Sequence, residues 1–253
     1  MNIIDIHVHH RWAEPDERPD YGLARTVELA HQNGIGRILA LPSGAGVRGN
    51  PPEAVRACND CTLALMGEDP HFWLGAMYLS PNHPVEFIRE EAVRCREAGM
   101  VAIKQSIEVN ARDARIDPIA ELAAELEIPI LFHAWYKMVQ KYPEESDGSD
   151  IAHLARRHPQ TRIIMAHLTG VGRRGVQDVA DLPNVWVDTC GGWYDSEIME
   201  YAHRHLGAER LVYGSDYPGR DYAPQVGRIE GARLSSEDRE KILWRNAERL
   251  LGL

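Results

Sequence analysis

Two histidines stand two residues apart near the start of the chain, in Ile3-Ile4-Asp5-Ile6-His7-Val8-His9-His10. The aliphatic residues around them make the segment a buried strand. Residues i and i+2 of a strand face the same way, so His7 and His9 aim together and can grip one cation. Asp5 shares their parity and is expected one layer deeper, with Ile6 and Val8 packing toward helices. His10 has the opposite parity and is expected to hydrogen-bond a loop. A single histidine pair is a weak signal, because the chain holds 12 histidines. Other ligand-type residues, however, end other apolar runs. Lys104 ends MVAIK, His133 ends PILFH, His167 ends RIIMAH, Asp188 stands in VWVDT and Asp216 ends RLVYGSD. His133 and Asp216 added to His7 and His9 give three nitrogens and one oxygen. That set suits one divalent ion, Zn2+ first, with Mn2+, Fe2+ or Co2+ also accommodated. The chemistry it supplies is activation of a water and polarisation of a substrate oxygen. Asp216 is the expected acceptor of the water's proton and His167 the expected acid or base.

Residues so far apart must be brought together by the elements that carry them. Eight apolar runs of strand length recur, at 3–8, 37–41, 72–79, 100–104, 129–133, 162–167, 185–189 and 210–216. Each is followed by an amphipathic segment, the last being SSEDREKILWRNAERLLG, and the one after strand 6 being VGRRGVQDVADLP. Strands that are apolar throughout and alternate with helices belong to a parallel sheet covered on both sides. Eight such units predict an α/β fold, a (β/α)8 TIM barrel spanning 1–253 as a single domain, with its site at the C-terminal ends of the strands. An open doubly wound sheet is the alternative, but the first strand is not followed by its G-x-G-x-x-G turn.

The loops after the strands would hold the substrate. They carry Trp135, Tyr136 and Lys137 after strand 5, Arg173 and Arg174 after strand 6, Trp193 and Tyr194 after strand 7, and Tyr217 and Arg220 after strand 8. Aromatic rings together with Arg and Lys suit a planar, carboxylate-bearing small molecule. Gly191-Gly192-Trp193 reads as a hinge. His31, His71, His153, His158, His203 and His205 lie on or beside helices and read as surface or packing residues.

The net charge of −10, with no basic stripe, argues against nucleic acid as partner. No apolar run approaches a membrane span and no signal-like start is present, so the chain reads as soluble and cytoplasmic. Cys58 and Cys61 have C-x-x-C spacing but fall inside a helical pattern, with no second pair for zinc, and read as structural.

Four stretches, IDIHVHH at 4–10, PILFHAW at 129–135, IIMAHLTG at 163–170 and LVYGSDYP at 211–218, together resemble the amidohydrolase superfamily. With the terminal EDREKILWRNAERLLGL, they look most like its amidohydrolase-2 branch, which includes aminocarboxymuconate-semialdehyde decarboxylase and related hydrolases. The resemblance implies one divalent metal, usually zinc, held by His7, His9, His133 and Asp216, with His167 beside it. It also implies a homodimer. Many members of the superfamily bridge two metals with a carboxylated lysine on strand 4, where Lys104 stands. The branch resembled holds one metal, so Lys104 reads as a substrate-binding residue. At 253 residues the chain has little room for the long strand-1 insertion of the larger decarboxylases. That places hydrolysis of a lactone, amide or ester first and non-oxidative decarboxylation second. A related deoxyribonuclease branch and a barrel serving only as a binding scaffold rank below both.

Overall fold

All eight apolar runs form strands. They are β1 Ile3–His10, β2 Ile35–Pro42, β3 Trp73–Tyr78, β4 Ala102–Gln105, β5 Ile130–Phe132, β6 Ile163–Met165, β7 Val185–Asp188 and β8 Leu211–Val212. The computed structural model describes residues 3–10, 22–42, 49, 51–139, 141–193 and 195–253. The strands pair in parallel and in chain order from β1 to β8. Closure comes from residues just beyond β8. Val8 bridges Tyr217 in parallel, Ile6 N–H donates to Tyr213 O (3.1 Å), and His9 N–H donates to Tyr217 O (2.7 Å). The result is the expected (β/α)8 barrel.

The helices are α1 Leu23–Gln32, α2 Pro52–Glu68, α3 Val85–Glu97, α4 Asp117–Glu125, α5 Gly148–Arg157, α6 Leu168–Asp178 and α7 Ile198–Leu206. After β8 come α8 Tyr222–Glu230, α9 Ser236–Glu240 and, across a wider turn, α10 Asn246–Leu251. Local chemistry sets their ends. Pro52 opens α2, where its missing N–H costs nothing. Asp147 and Asp150 cap α5 reciprocally, and Gly207 ends α7 at φ 74°. No helix among the described residues is long and apolar enough to cross a membrane.

Two helices depart from the sequence reading. α8 is an extra helix between strand 8 and the closing helix. Pro224 and Gly227 mask it in the sequence, yet Pro224 falls in the first turn, where an N–H has no intrahelical partner. α6 starts at Leu168, directly after strand 6, and bends at Gly172 (φ 61°).

The core has two layers. Val8, Met77, Phe132, Met165 and Val187 face outward and pack with helix residues such as Ala30, Ile88, Ile119, Ile151 and Val176. Ile4, Ile6, Leu39, Leu74, Leu131, Ile164 and Val212 fill the interior together with Ala247, Leu250 and Leu251 of α10. Arg162, just before β6, donates to Leu250 O (3.2 Å), so α10 closes the end of the barrel where the strands begin. Polar residues are thereby left the opposite end. Ile6 belongs to this inner layer, against the expectation from parity. Asp5 pairs with Ile38 and Val8 with Ala40, so β1 carries one extra residue there, a bulge that resets its alternation. Asp5 is therefore not beneath the histidines. It pairs with an outward residue, and its Oδ1 accepts the N–H groups of His7 and Ser215 (both 3.0 Å), tying β1 to the chain after β8.

Candidate metal centre

The bulge allows Ile6 to fill the interior while His7 and His9, past it, reach the open end. The ring of His7 is wholly buried, and its Nδ1–H donates to Asp188 Oδ2 at 2.6 Å. A carboxylate only accepts, so this bond places the proton on Nδ1 and leaves the Nε2 lone pair facing inward. His7 Nε2 lies 3.2 Å from His9 Nε2 and 3.6 Å from Asp216 Oδ1, and His9 Nε2 lies 3.5 Å from the same oxygen. Burial pushes His9 down to about 4, so its ring is neutral at neutral pH. Burial alone would raise the Asp216 carboxyl, but His9, His167 and His7 outweigh it and hold it well below the usual range.

These three atoms fit a divalent cation. Donors held at about 2.1 Å from one ion lie about 3.0–3.4 Å apart, close to the separations found here. Two inward-facing imidazole nitrogens and an ionised carboxylate converging on one point suit a cation. His7, His9 and Asp216 form one of two potential metal-holding groups among the described residues, and His7, His167 and Cys190 form the other. His133 is in neither. Its Nε2 bonds to Glu145 Oε1 (2.9 Å), a buried carboxylate that also pairs with Lys137 Nζ (2.9 Å). The ring of His133 instead stands edge-on to His167, with centroids 4.8 Å apart.

His167 and Asp216 share an unusual backbone. Both adopt left-handed φ, 69° and 65°, where the strands β6 and β8 stop short of the expected 162–167 and 210–216. Such a conformation costs an L-residue on the order of 1–3 kcal/mol and is kept where the surroundings dictate it. The turn at His167 starts α6, and its N–H is held by Asp188 Oδ1 (2.9 Å). His167 Nδ1 bonds to Ala134 O (3.2 Å), which assigns it the proton and points Nε2 at Asp216 Oδ2, 3.8 Å away. Burial drives His167 well below its ordinary pKa. Lys104 is buried too, with Nζ 3.4 Å from His7 Nε2, and burial lowers it to about 8.

The expected substrate residues divide. Trp135 is buried and leans on His167 (5.2 Å between centroids), and Trp193, half exposed, stands edge-on to Trp135 (6.0 Å). These two rings make a wall leading from His167 outward. Tyr136 instead donates to Asp178 (2.5 Å) under the guanidinium of Arg174, which lies 4.3 Å from its ring. Arg173 and Arg174 belong to α6 rather than to a loop. Arg173 donates to Ser196 O (2.8 Å) and lies over Tyr201. Tyr217 is buried, stacked on Tyr222 at 4.4 Å. Arg220 turns off the main chain of Asp216, its N–H donating to Asp216 O (3.0 Å). Tyr194 lies outside the described residues. His10 bonds to Thr62 on α2 (2.8 Å).

Three residues of the centre carried no role in the sequence reading. Asp188 was visible as a strand end, and it gathers His7 Nδ1, the N–H groups of His167 and Cys190, and Cys190 Sγ (2.9 Å). Cys190 follows it by two. Glu145 lies 12 positions after His133 in an irregular segment, where no spacing points to it.

Known proteins are similar to this chain in part of its sequence and in its fold. A stretch of 71 residues is 34% identical to 2-amino-3-carboxymuconate-6-semialdehyde decarboxylase of Caenorhabditis elegans, covering 27% of this chain and 17% of that protein. Among solved structures, 2,6-dihydroxybenzoate decarboxylase from Rhizobium superposes with a TM-score of 0.79 at 17% identity, over 100% of this chain and 99% of that one. A dihydroxybenzoic acid decarboxylase from Polaromonas sp. JS666, solved with manganese and 2-nitroresorcinol, gives 0.78 at 20% identity, over 100% and 98%. At such identities the structures speak for the barrel alone. The amidohydrolase profile, however, matches residues 4–253, from the first histidine strand to the last residue. The chain with these converging histidines and this aspartate therefore belongs to the amidohydrolase family, whose members are metal-dependent enzymes.

Proposed function

We propose that this protein is a metal-dependent decarboxylase of a small planar carboxylic acid. Its metal is a divalent transition ion, zinc or manganese, held by His7, His9 and Asp216. The observation that carries the reading is the place of His167, neutral and buried between the ligand cluster and the tryptophan wall, with Nε2 turned to Asp216. Loss of CO2 from an unsaturated carbon requires a proton to be delivered to that carbon in a pocket that keeps water out. His167 Nε2 and Asp216 together can take up the proton of the substrate's carboxylic acid or of a water and pass it to that carbon, while Trp135 and Trp193 orient a flat substrate. When bound, the metal supplies Lewis-acid polarisation of a substrate oxygen. The similarity to decarboxylases supports the same reading, which the sequence alone placed second. Hydrolysis is the second reading. It is supported by the Asp216 carboxylate, held ionised beside the histidines, where it could take a proton from water.

The test is product analysis on protein loaded separately with Zn2+ and Mn2+. Planar unsaturated and aromatic carboxylic acids are assayed for CO2 release, and lactones, amides and esters for hydrolysis. The expected result is CO2 release that stops on chelation and returns with metal. His7→Ala should lose the metal, His133→Ala should weaken it less, and His167→Ala should keep it while turnover falls by about 100-fold or more. Hydrolysis without CO2 release would replace the proposal by the second reading, and protein that binds neither ion would end both.

A further inference from the structure

Gly170 stands in the first turn of α6, three residues after His167, and its backbone is helical. Glycine weakens a helix relative to alanine, so its presence at such a position calls for a reason outside the helix. The other glycines of α6 have theirs. Gly172 makes the bend, and Gly175 faces α5, where a Cβ on Gly148 would lie 2.7 Å from the Gly175 Cα. At Gly170 the reason is Trp135. A Cβ there would lie 2.7 Å from both Cδ2 and Cε3 of the indole and 3.0 Å from His167 Cβ. The missing side chain marks the point where Trp135 and His167 meet.

The main chain around the indole is tied to the same turn. Trp135 N–H donates to Ser146 O (2.9 Å), and Tyr136 N–H donates to Gly170 O (3.1 Å). The loop that bears Trp193 leans there too, since a Cβ on Gly191 would lie 2.5 Å from Thr169 Oγ1 and 3.0 Å from Gly170 N. One turn of backbone thus gauges the Trp135 ring, which stands between His167 (5.2 Å) and Trp193 (6.0 Å).

We propose that Gly170 is a positioning residue: by lacking a side chain it sets how far back the Trp135 ring lies beside His167, and so lets the site take acids built on a flat ring in preference to short-chain acids. Carbon atoms in contact stand about 3.5–4.0 Å apart, so a methyl group at 170 must drive the indole about 1 Å off the turn. Its main chain is tied to Ser146 and to Gly170 itself and cannot follow. The ring therefore swings toward the half-exposed Trp193, into the space beside His167 where a substrate ring would lie. A short unsaturated acid covers less of the wall and loses less. This deepens the decarboxylase reading and rests on it for the use of the wall, but binding and stability can be measured without turnover.

The probes are crotonate, benzoate and 2-naphthoate. Their binding to zinc-loaded protein is followed by calorimetry and by tryptophan fluorescence, with the urea midpoint as the measure of folding. Wild-type protein is expected to bind the two ringed acids more tightly than crotonate. Gly170→Ala should weaken them by about tenfold relative to crotonate, the scale of one aromatic contact, while the Zn2+ Kd stays unchanged. The same substitution is then made in Trp135→Ala. With no indole to strike, the loss of urea midpoint seen in the wild type should largely disappear, and Gly170→Ala should no longer alter the order of the three probes. A Gly170→Ala protein that folds only when Trp135→Ala accompanies it would be the extreme of the same coupling and would support the assignment. Three results would overturn it: no preference for ringed acids in the wild type, a preference that survives Gly170→Ala, or losses that are the same with and without Trp135. A ring preference that depends on Gly170, without CO2 release from any acid, would refute the decarboxylase reading and leave the role of Gly170 standing.

Discussion

The side chain on which the centre turns is Asp188, which touches no substrate-facing atom. It accepts a hydrogen bond from His7 Nδ1–H, so Nε2 is the nitrogen offered to a metal, and it anchors the N–H of His167, which starts that residue's left-handed turn. Burial alone would raise its carboxyl, but the His7 ring and its other donors hold it well below the usual range. Asp188→Asn keeps the shape and replaces one acceptor by an NH2 group. That group can satisfy His7 only if Nδ1 becomes the acceptor, which puts the proton on Nε2, on the wrong side. Metal affinity is expected to fall by about 10–100-fold, the usual effect of losing such an orienting partner. Competition with a chelator of known affinity measures it, and an unchanged Kd would show that His7 needs no orientation by Asp188.

Among the elements, Asn59 of α2 joins three of them. Its Oδ1 accepts Tyr78 N–H (2.8 Å), and its Nδ2 donates to Tyr78 O (3.1 Å) and to Glu91 Oε1 (2.8 Å) on α3. All of this is buried. Asn59→Ala removes the buried amide bonded to both main-chain groups of Tyr78 at the end of β3, at a cost of about 2–4 kcal/mol. Urea denaturation tests it, and a loss under about 0.5 kcal/mol would mean that water replaces the amide. Elements also show where the sequence could and could not be read. The eight βα repeats were legible because apolar runs that bury both faces leave few other solutions. The ends of those runs told which residues share the open end of the barrel. The bulge in β1 was not legible. Parity assumes an unbroken ladder, and the inserted residue depends on how Asp5 meets the chain after β8, 210 positions away. α8 was hidden by a proline whose harm depends on its place in the helix. Glu145 reaches His133 across an irregular segment with no periodicity to carry the information.

At the scale of the whole molecule, the centre gathers groups whose protonation differs between the folded and unfolded chain, and stability must follow pH accordingly. Burial lowers His9 to about 4 and lowers His133 and His167 as well, so the folded protein resists protonating these rings. In the unfolded chain all three take a proton below about 6.5. Stability from this source is present above that pH and is lost as pH falls. Asp5 opposes it: burial raises its carboxyl to about 7, so the folded state holds a proton there that the unfolded chain releases above about 4. Between about pH 6 and 5 unfolding thus takes up protons at His9 and His167, with a further contribution from His133, and releases one at Asp5. The net uptake makes the metal-free protein lose roughly 1–3 kcal/mol per pH unit over that interval. Asp5→Asn, whose amide oxygen still accepts the N–H groups of His7 and Ser215, removes the opposing contribution and should steepen the loss by about 1.4 kcal/mol per unit. Bound metal requires the neutral rings and should shift the whole profile to lower pH. Urea titrations of both proteins at half-unit steps measure these slopes, and stability that is flat or rises toward pH 5 would show that the histidines are protonated in the folded barrel.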